Sequence, residues 1–350
     1  MKRRLLIRLL LCGPPASAVL LGACGGAHAT HPSSGPGGAD ASSRSGPAHA
    51  APTPARAPVA TVPGAPYAVG IRILRLRDPH RTVALPDGRR VPRTLLTIVR
   101  YPALGKPVPG ERMDATPARV RGPFPLVVFG HGFAVTPAIY AHLLHSWTRA
   151  GYVVAAPVFP LGSAGAPGGP DESDLPNQPA DMSLVISRMV ADGASATGPL
   201  AGMVDPGAIA VAGQSDGGDA ALATAFDPRS RDRRVKAAVI LSGAEIPMNG
   251  AFAFPARGPA LLAVQGSADT VNLPSETALY FAAAPRPKFL LRLAGAEHLP
   301  PYTVEQPQLR TVERASTAFL DVYLRHRAGA SFRLRADAEV PGVASLAAFP

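Results

Sequence analysis

The sequence predicts an α/β domain with a mostly parallel central sheet flanked by helices, and two observations lead to this fold class. Short apolar runs typical of strands buried on both faces alternate with longer segments that repeat apolar residues at helical spacing. Glycine and proline separate these segments, as expected where each strand connects to a crossover helix. With 350 residues and 47% hydrophobic content, the chain suits one sizeable core with appendages rather than several equal domains.

Residues 1–23 are predicted to be an export signal of the lipoprotein type. Residues 2–4 are Lys-Arg-Arg, and Leu9 to Leu21 form an apolar stretch too short to span a bilayer. The stretch ends in Leu-Gly-Ala-Cys, which resembles a bacterial lipobox and makes Cys24 the predicted site of lipidation. The arginine pair partly resembles a twin-arginine signal, and an ordinary cleaved signal peptide is the alternative. The protein is therefore expected on the outer face of the cell membrane, or secreted if the lipobox is not used.

Residues 24–66 are predicted to be a disordered tether, because they are rich in Ala, Gly, Pro and Ser and almost lack large apolar side chains. Cys12 would leave with the signal, so the mature chain has no thiol pair for a disulfide or a cysteine metal site. The net charge of +11 comes mainly from scattered arginines. Since no basic stripe is interleaved with aromatic residues, no nucleic-acid partner is expected.

The catalytic domain is predicted over residues 67–336, followed by a C-terminal tail at 337–350. Two alternating segments at its start indicate antiparallel edge strands joined through a Pro-Asp-Gly turn, and buried strands and helices alternate after them. The predicted strands are 69–76, 93–101, 123–130, 152–158, 209–212, 235–242, 259–265 and 288–293, and the predicted helices are 137–150, 180–192, 274–284 and 304–326, with a further helix opening near 220.

The segment Gly-Gln-Ser-Asp-Gly at residues 213–217 predicts a nucleophile elbow, in which a buried strand turns sharply into a helix and presents a serine. Gly213 and Gly217 are needed because the strand and the helix approach within the width of a side chain. An apolar run precedes the motif and an alanine-rich helix opening follows it, which is the setting the elbow requires. Ser215 is therefore the predicted nucleophile, and a plain Gly/Ser loop is the alternative.

Candidate partners for the serine follow the carboxyl ends of other predicted strands, where ligands bind in this architecture. Asp269 and His298 each come just after a strand and give the chain order Ser, Asp, His. A serine hydroxyl needs an imidazole to take its proton, and the imidazole needs a carboxylate on its other nitrogen. Asp269 and His298 therefore complete the predicted triad, with Glu245 and Asp321 as weaker alternatives for the acid.

A loop with the sequence Gly-His-Gly-Phe follows the first buried strand and ends at Phe133. Its backbone N–H and that of Asp216, the residue after the serine, would form the two-donor oxyanion hole that acyl transfer requires, unless the loop is a simple tight turn. His142 and His145 share one helix turn, but the sequence offers no third ligand beside them. No metal and no cofactor are therefore expected.

Together these motifs resemble the α/β-hydrolase superfamily, over about residues 67–327. The matching segments are Gly-His-Gly-Phe, Gln-Pro-Ala-Asp at 178–181, Asp-Pro before the elbow strand, Gly-Gln-Ser-Asp-Gly-Gly, Gly-Ser-Ala-Asp-Thr-Val at 266–271 and Ala-Gly-Ala-Glu-His at 294–298. The chain is similar to the bacterial group of dienelactone hydrolase-like proteins, platelet-activating-factor acetylhydrolases, chlorophyllases and cutinase-like polyester hydrolases. This resemblance implies Ser215 as nucleophile, His298 as general base and then acid, Asp269 as its partner, and the N–H groups of Phe133 and Asp216 as oxyanion hole.

Two departures separate the chain from the polyester hydrolases in that group. Position 216 is an aspartate where they usually carry an apolar residue, and the C-terminal disulfide common among them cannot form here. Both argue against plastic or cutin polyesters as substrates. A serine rather than a cysteine nucleophile argues against true dienelactone hydrolysis.

The sequence thus predicts a lipid-anchored serine hydrolase that cleaves a small-molecule or lipid-like carboxylic ester through an acyl-enzyme intermediate. An acyltransferase or peptidase with the same triad is an alternative, because the triad defines acyl transfer and not the acceptor. A non-catalytic surface binding protein with a hydrolase fold is another. Residues 243–258 are too short and too broken by Gly and Pro for a large cap domain, so an open site for short or medium acyl chains is expected.

Overall fold

The computed structural model describes residues 66–245 and 253–350. The strands are β1 (Ala68–Ala84), β2 (Arg90–Ala103), β3 (Glu111–Met113), β4 (Phe124–Gly130), β5 (Val153–Val158), β6 (Val204–Gln214), β7 (Val235–Leu241), β8 (Ala260–Gly266), β9 (Lys288–Leu293) and β10 (Ala344–Phe349). The helices are α1 (Ala141–Arg149), α2 (Gln178–Ala194), α3 (Asp216–Phe226), α4 (Pro274–Ala283), α5 (Gln308–Tyr323) and α6 (Ala330–Ala338). Short 3-10 helices cover Arg119–Arg121, Pro137–Tyr140, Glu172–Asn177 and Pro300–Tyr302.

The described strands form one sheet of ten in the order β10-β9-β8-β7-β6-β4-β5-β2-β1-β3. The six central strands from β9 to β5 run parallel to one another. Antiparallel pairings attach β2 to β5, β1 to β2 and β10 to β9. The predicted fold class, a mostly parallel sheet flanked by helices, is confirmed.

Helices cover both faces of the sheet, and this explains why its central strands are continuous apolar runs. Successive side chains of a strand point to opposite faces, so Val127 of β4 belongs to the apolar cluster that includes α1, α5 and α6, whereas Val128 belongs to the cluster that includes α2, α3 and α4. All seven residues of β4 are buried. A strand with both faces covered cannot place polar side chains on either one.

The structure differs from the sequence analysis at three places. The strand predicted at 209–212 begins earlier, and the Asp-Pro-Gly segment at 205–207 lies inside β6, where the register shifts against β4 and leaves residues unpaired. The two strands predicted at an edge are not outermost: β2 lies between β5 and β1, and β1 lies between β2 and the short β3. The stretch treated as a C-terminal tail from residue 337 completes α6 and adds β10 along β9. β10 was missed because its six residues lack a clear polar-apolar alternation.

No helix in the described ranges is both long enough and apolar enough to cross a bilayer.

Candidate active site

Ser215 lies in the sharp connection between β6 and α3. Its backbone has φ 54° and ψ −129°, a conformation that costs an ordinary L-residue free energy and is kept only where the surroundings impose it. Two backbone hydrogen bonds impose it here: the Ser215 N–H donates to the Leu241 carbonyl at 3.1 Å, and the Asp219 N–H donates to the Ser215 carbonyl at 2.9 Å. The serine is thereby held at the carboxyl end of the central strand, with its side chain partly exposed.

Three glycines allow this turn because their backbones touch. A Cβ on Gly213 would overlap the carbonyl oxygen of Gly217, and a Cβ on Gly217 would overlap the carbonyl of Gly130 at the end of β4. The helix α3 can therefore begin directly against two neighbouring strands. This is the contact predicted for the elbow glycines Gly213 and Gly217.

The structure brings the three predicted triad residues together. The distance from Ser215 Oγ to His298 Nε2 is 2.9 Å, and the distance from His298 Nδ1 to Asp269 Oδ2 is also 2.9 Å. A carboxylate at Nδ1 fixes the proton on that nitrogen, so Nε2 is free to accept the hydroxyl proton of the serine. Ser215, His298 and Asp269 come from three different loops, after β6, β9 and β8.

Asp269 is buried, with 2% of its surface exposed. The backbone N–H groups of Val271 and Asn272 donate to its Oδ1 at 2.9 and 3.1 Å, and Gln265 Nε2 donates to its Oδ2 at 3.2 Å. Burial raises the pKa of Asp269, but these hydrogen bonds and the one from His298 outweigh it and hold the pKa below its usual value. Asp269 is therefore ionised at neutral pH and able to stabilise an imidazolium.

Two further polar residues, which sequence reasoning missed, connect His298 to the Gly-His-Gly-Phe loop that ends at Phe133, here called the oxyanion loop. Gln214 Nε2 donates to the His298 carbonyl at 3.0 Å and lies 3.2 Å from His298 Nε2. Tyr140 donates its hydroxyl hydrogen to Gln214 Oε1 at 2.7 Å and accepts from the Gly132 N–H at 3.3 Å. For Gln214, the available signal was its long polar side chain just after the apolar run at 209–212.

The Gly-His-Gly-Phe loop lies against the serine, as predicted. A Cβ on Gly132 would be 3.3 Å from the Ser215 Cβ, so the loop backbone closely borders the nucleophile. Within the described residues, the N–H groups of Phe133 and Asp216 donate to no backbone carbonyl. They are available as the two donors of an oxyanion hole.

His131 anchors this loop. Its Nε2 accepts a hydrogen bond from the Phe159 N–H at 3.0 Å, and its Nδ1 donates to the Gly132 carbonyl at 2.8 Å. Burial lowers the pKa of His131 to about 4, against the hydrogen bond to Gly132, so the imidazole is neutral at physiological pH. The loop is thus fixed to the end of β5.

Asp321 and Glu245 were the two weaker candidates for the acid of the triad. Asp321, on α5, accepts from the Tyr152 hydroxyl at 2.7 Å and from Arg325, Arg327 and Arg333 at 3.1 to 3.4 Å. Glu245 is the last residue described before the gap at 246–252. Asp269 is the predicted acid that the structure shows against the His298 imidazole.

His142 and His145, which the sequence analysis considered and rejected as a metal pair, lie on α1. His145 Nδ1 is 3.7 Å from a carboxylate oxygen of Glu111, and His142 is exposed on the same helix. Cys24 lies outside the described residues, so its predicted lipidation stays a prediction.

A family model named Chlorophyllase matches residues 101–275, which is half of the chain. The matched range contains the oxyanion loop, Ser215, Asp216 and Asp269, and it ends before His298. No curated protein matches the chain.

Proposed function

The chain belongs to the chlorophyllase family of ester hydrolases, and from that premise we propose that it hydrolyses carboxylic esters through Ser215, His298 and Asp269. The observation that carries the proposal is the pair of 2.9 Å contacts that His298 makes with Ser215 and Asp269. A serine, an imidazole and a carboxylate in this arrangement activate the serine as a nucleophile.

In the proposed reaction, Ser215 Oγ attacks the carbonyl carbon of the ester while its proton passes to His298 Nε2. The N–H groups of Phe133 and Asp216 stabilise the negative oxygen of the tetrahedral intermediate. The intermediate expels the alcohol, which takes the proton from His298 and leaves the acyl group on Ser215. A water molecule then gives a proton to His298 and attacks the acyl carbon, releasing the acid and restoring Ser215.

An acyltransferase or a peptidase would use the same triad, and a binding protein would not need it. Membership in a family of ester hydrolases favours ester hydrolysis over acyl transfer to another acceptor and over peptide hydrolysis. The strained backbone at Ser215 argues against a binding protein, because such strain persists where function requires it.

The proposal is tested with p-nitrophenyl esters from acetate to palmitate. Wild type is expected to release nitrophenol, and Ser215→Ala and His298→Ala should each lower kcat by several powers of ten, since triad members act as a unit. Ser187→Ala, which removes an exposed serine hydroxyl on α2, is the matched control and should keep full activity. Turnover by Ser215→Ala close to that of wild type would refute the proposal.

We also propose an open site that prefers short or medium acyl chains and is not activated at lipid interfaces. The connection at 243–258 is short, and its residues 246–252 lie outside the described part of the chain. The other candidate cover, residues 161–178, has few large apolar side chains with which to seal a pocket. The rate is measured with a butyrate ester at concentrations below and above its solubility limit, and it should not jump when an emulsion forms. A palmitate ester should be a poorer substrate than the butyrate ester. A jump, or a preference for palmitate, would contradict this.

Membrane attachment through a lipid on Cys24 is a separate proposal, supported by the Leu-Gly-Ala-Cys segment and the long Ala/Gly/Pro/Ser stretch after it. Cys24→Ser should leave the protein unprocessed or released from membranes, whereas Cys12→Ser, the matched control, should behave as wild type. Detergent partitioning of Cys24→Ser equal to that of wild type would rule out the anchor.

A further inference from the structure

The side chain of Asp216 is buried beside the nucleophile and forms no ion pair with any described residue. Asp216 directly follows Ser215, is 6% exposed, and its Oδ2 has no hydrogen-bond partner in the described structure. Its backbone N–H is one of the two proposed oxyanion donors, so a negative oxygen would form close to its carboxylate. Like charges at short range repel, and burial strengthens the repulsion. For a neutral ester, this carboxylate works against catalysis.

Two other acids lie on elements next to Asp216. Asp219, on the first turn of α3, is 2% exposed and has an unpartnered Oδ2, while its Oδ1 accepts from the Ala244 N–H at 2.5 Å. Glu172 begins the 3-10 helix that precedes α2, and this 3-10 helix contacts α3. No ion pair in the described part of the chain involves Asp216, Asp219 or Glu172.

Asp216 carries a negative charge beside the nucleophile near neutral pH. Burial, and then the negative charge of Glu172, raises the pKa of Asp216 to about 6 against the opposing effect of His298, so it is largely ionised at pH 7 to 8. Burial raises the pKa of Asp219 well above its usual range despite the hydrogen bond from Ala244. The proposed active site is therefore negative within a chain whose net charge is +11.

A buried acceptor of a different kind borders the same loop. Gln178 is 2% exposed and its Oε1 has no hydrogen-bond partner among the described residues. Its amide packs against Gly162, whose carbonyl accepts from the N–H of Ala134, next to Phe133 in the oxyanion loop. This oxygen is an uncharged acceptor. Like Asp216 Oδ2, it has no hydrogen-bond donor among the described residues.

The two arginines that contact the 3-10 helix of Glu172 are paired with other acids. Arg93 binds Asp174 and Asp181, and Arg81 binds Asp78 and Asp181. Burying a carboxylate without an ion-pair partner is unfavourable, so a cation from outside the chain would bind it well. No cluster of three or more His, Cys, Asp or Glu side chains within the described ranges could hold a metal ion.

We propose that the preferred substrate is an ester that carries an ammonium group, whose positive charge is bound by the carboxylates of Asp216 and Glu172. The inference rests on the proposed ester hydrolysis and adds the class of substrate. The cation offsets the repulsion between Asp216 and the developing oxyanion, so the benefit appears in kcat/KM for the charged ester. It also supplies the countercharge that Asp216 lacks.

The test compares esters of equal shape and different charge. p-Nitrophenyl 4-(trimethylammonio)butanoate is paired with p-nitrophenyl 5,5-dimethylhexanoate, which replaces the charged nitrogen by carbon. Butyrylcholine is paired with 3,3-dimethylbutyl butyrate, so that the two pairs place the cation on the acyl or the alcohol side. Wild type should prefer the cationic member of at least one pair by about tenfold in kcat/KM, equal to about 1.4 kcal/mol.

Asp216→Asn should remove this preference and raise kcat/KM for the neutral ester, because it deletes the charge and keeps the backbone N–H. Glu172→Gln, an exposed position that should fold normally, is expected to reduce the preference by a smaller factor. Asp192→Asn, on an exposed turn of α2, is the matched control and should leave the preference unchanged.

No preference for the cation in either pair, or a preference that survives in both Asp216→Asn and Glu172→Gln, would overturn the inference. Hydrolysis of p-nitrophenyl butyrate by wild type and its loss in Ser215→Ala are measured in parallel. If the neutral ester is hydrolysed through Ser215 without any charge preference, the inference fails and the proposed function stands. If no ester is hydrolysed, the proposed function itself fails.

Discussion

Asp269 is the residue on which the orientation of His298 depends, since it is the acid within 2.9 Å of the imidazole Nδ1. Asp269→Asn should lower kcat on the order of a thousandfold or more, because an amide can hold the imidazole in the wrong tautomer. The effect should be smaller than that of Ser215→Ala. Steady-state kinetics with p-nitrophenyl butyrate measure it.

Glu245→Gln and Asp321→Asn are the comparison variants. Glu245→Gln should keep most of its activity, and any loss in Asp321→Asn should follow lost stability, because Asp321 is bound by three arginines. Near-normal turnover by Asp269→Asn, with activity lost in either comparison variant while it remains folded, would contradict the assignment.

His131 predicts a dependence of stability on pH. Its pKa falls from 6.5 to about 4 on folding, so the folded state favours the neutral ring. The contribution to stability is complete above pH 6.5 and is lost as the pH falls through about 4. A shift of this size corresponds to about 3 kcal/mol.

Urea unfolding at pH 7 and pH 4 tests this. Between pH 7 and pH 4, wild type should lose about 3 kcal/mol more of its free energy of unfolding than His131→Gln does, because the variant lacks the buried imidazole. His142→Gln changes an exposed histidine on α1 and should follow wild type. Equal losses in His131→Gln and wild type would show that His131 is not the group responsible.

Single residues were predictable from sequence where a backbone motif fixes them. Ser215, Gly213 and Gly217 sit in a pattern whose spacing follows from the close approach of strand and helix. Gln214 and Tyr140 follow no such pattern, because their hydrogen bonds depend on how separate loops meet in three dimensions.

At the level of elements, a buried ion network ties the loop before α2 to the antiparallel end of the sheet. Arg93 of β2 is 2% exposed and donates to both carboxylate oxygens of Asp174 and of Asp181, at 2.6 to 2.8 Å. Arg81 of β1 also binds Asp181 at 2.7 Å. Glu172, in the same 3-10 helix as Asp174, is positioned by this network.

Arg93→Met should therefore lower the free energy of unfolding by about 3 to 5 kcal/mol, because it leaves two buried carboxylates without their main partner. Arg72→Met, which breaks a solvent-exposed pair with Asp114, is the control and should cost no more than about 1 kcal/mol. Denaturant unfolding of both variants provides the comparison. A loss in Arg93→Met as small as that of the control would contradict the role of the network.

Central strands were easier to predict than peripheral ones. β4 and β8 are buried along their whole length, and β7 is buried except for Lys236, so all three are mostly apolar in sequence. β3 and β10 lie at the two edges of the sheet, where one side is unpaired and the hydrophobic pattern is weak. The extension of β6 through Asp-Pro-Gly was hidden because a register shift accommodates residues that normally end a strand.

For the whole molecule, the alternation of strands and helices was enough to predict a parallel sheet and hence the edge at which its loops converge. Ser215, Asp269 and His298 meet at that edge because each follows a parallel strand. The burial of Asp216 and its lack of an ion pair among the described residues could not be predicted, because both are properties of the folded domain and not of its composition.

Covalent labelling of Ser215 tests the central claim most directly. The folded protein is treated with a fluorophosphonate, digested, and the modified peptide is identified by mass spectrometry. We expect one adduct, on Ser215, which is absent in Ser215→Ala and forms far more slowly in His298→Ala because the serine has lost its base. An adduct on a different residue, or a folded wild-type protein that remains unlabelled, would contradict the assignment of Ser215 as an activated nucleophile.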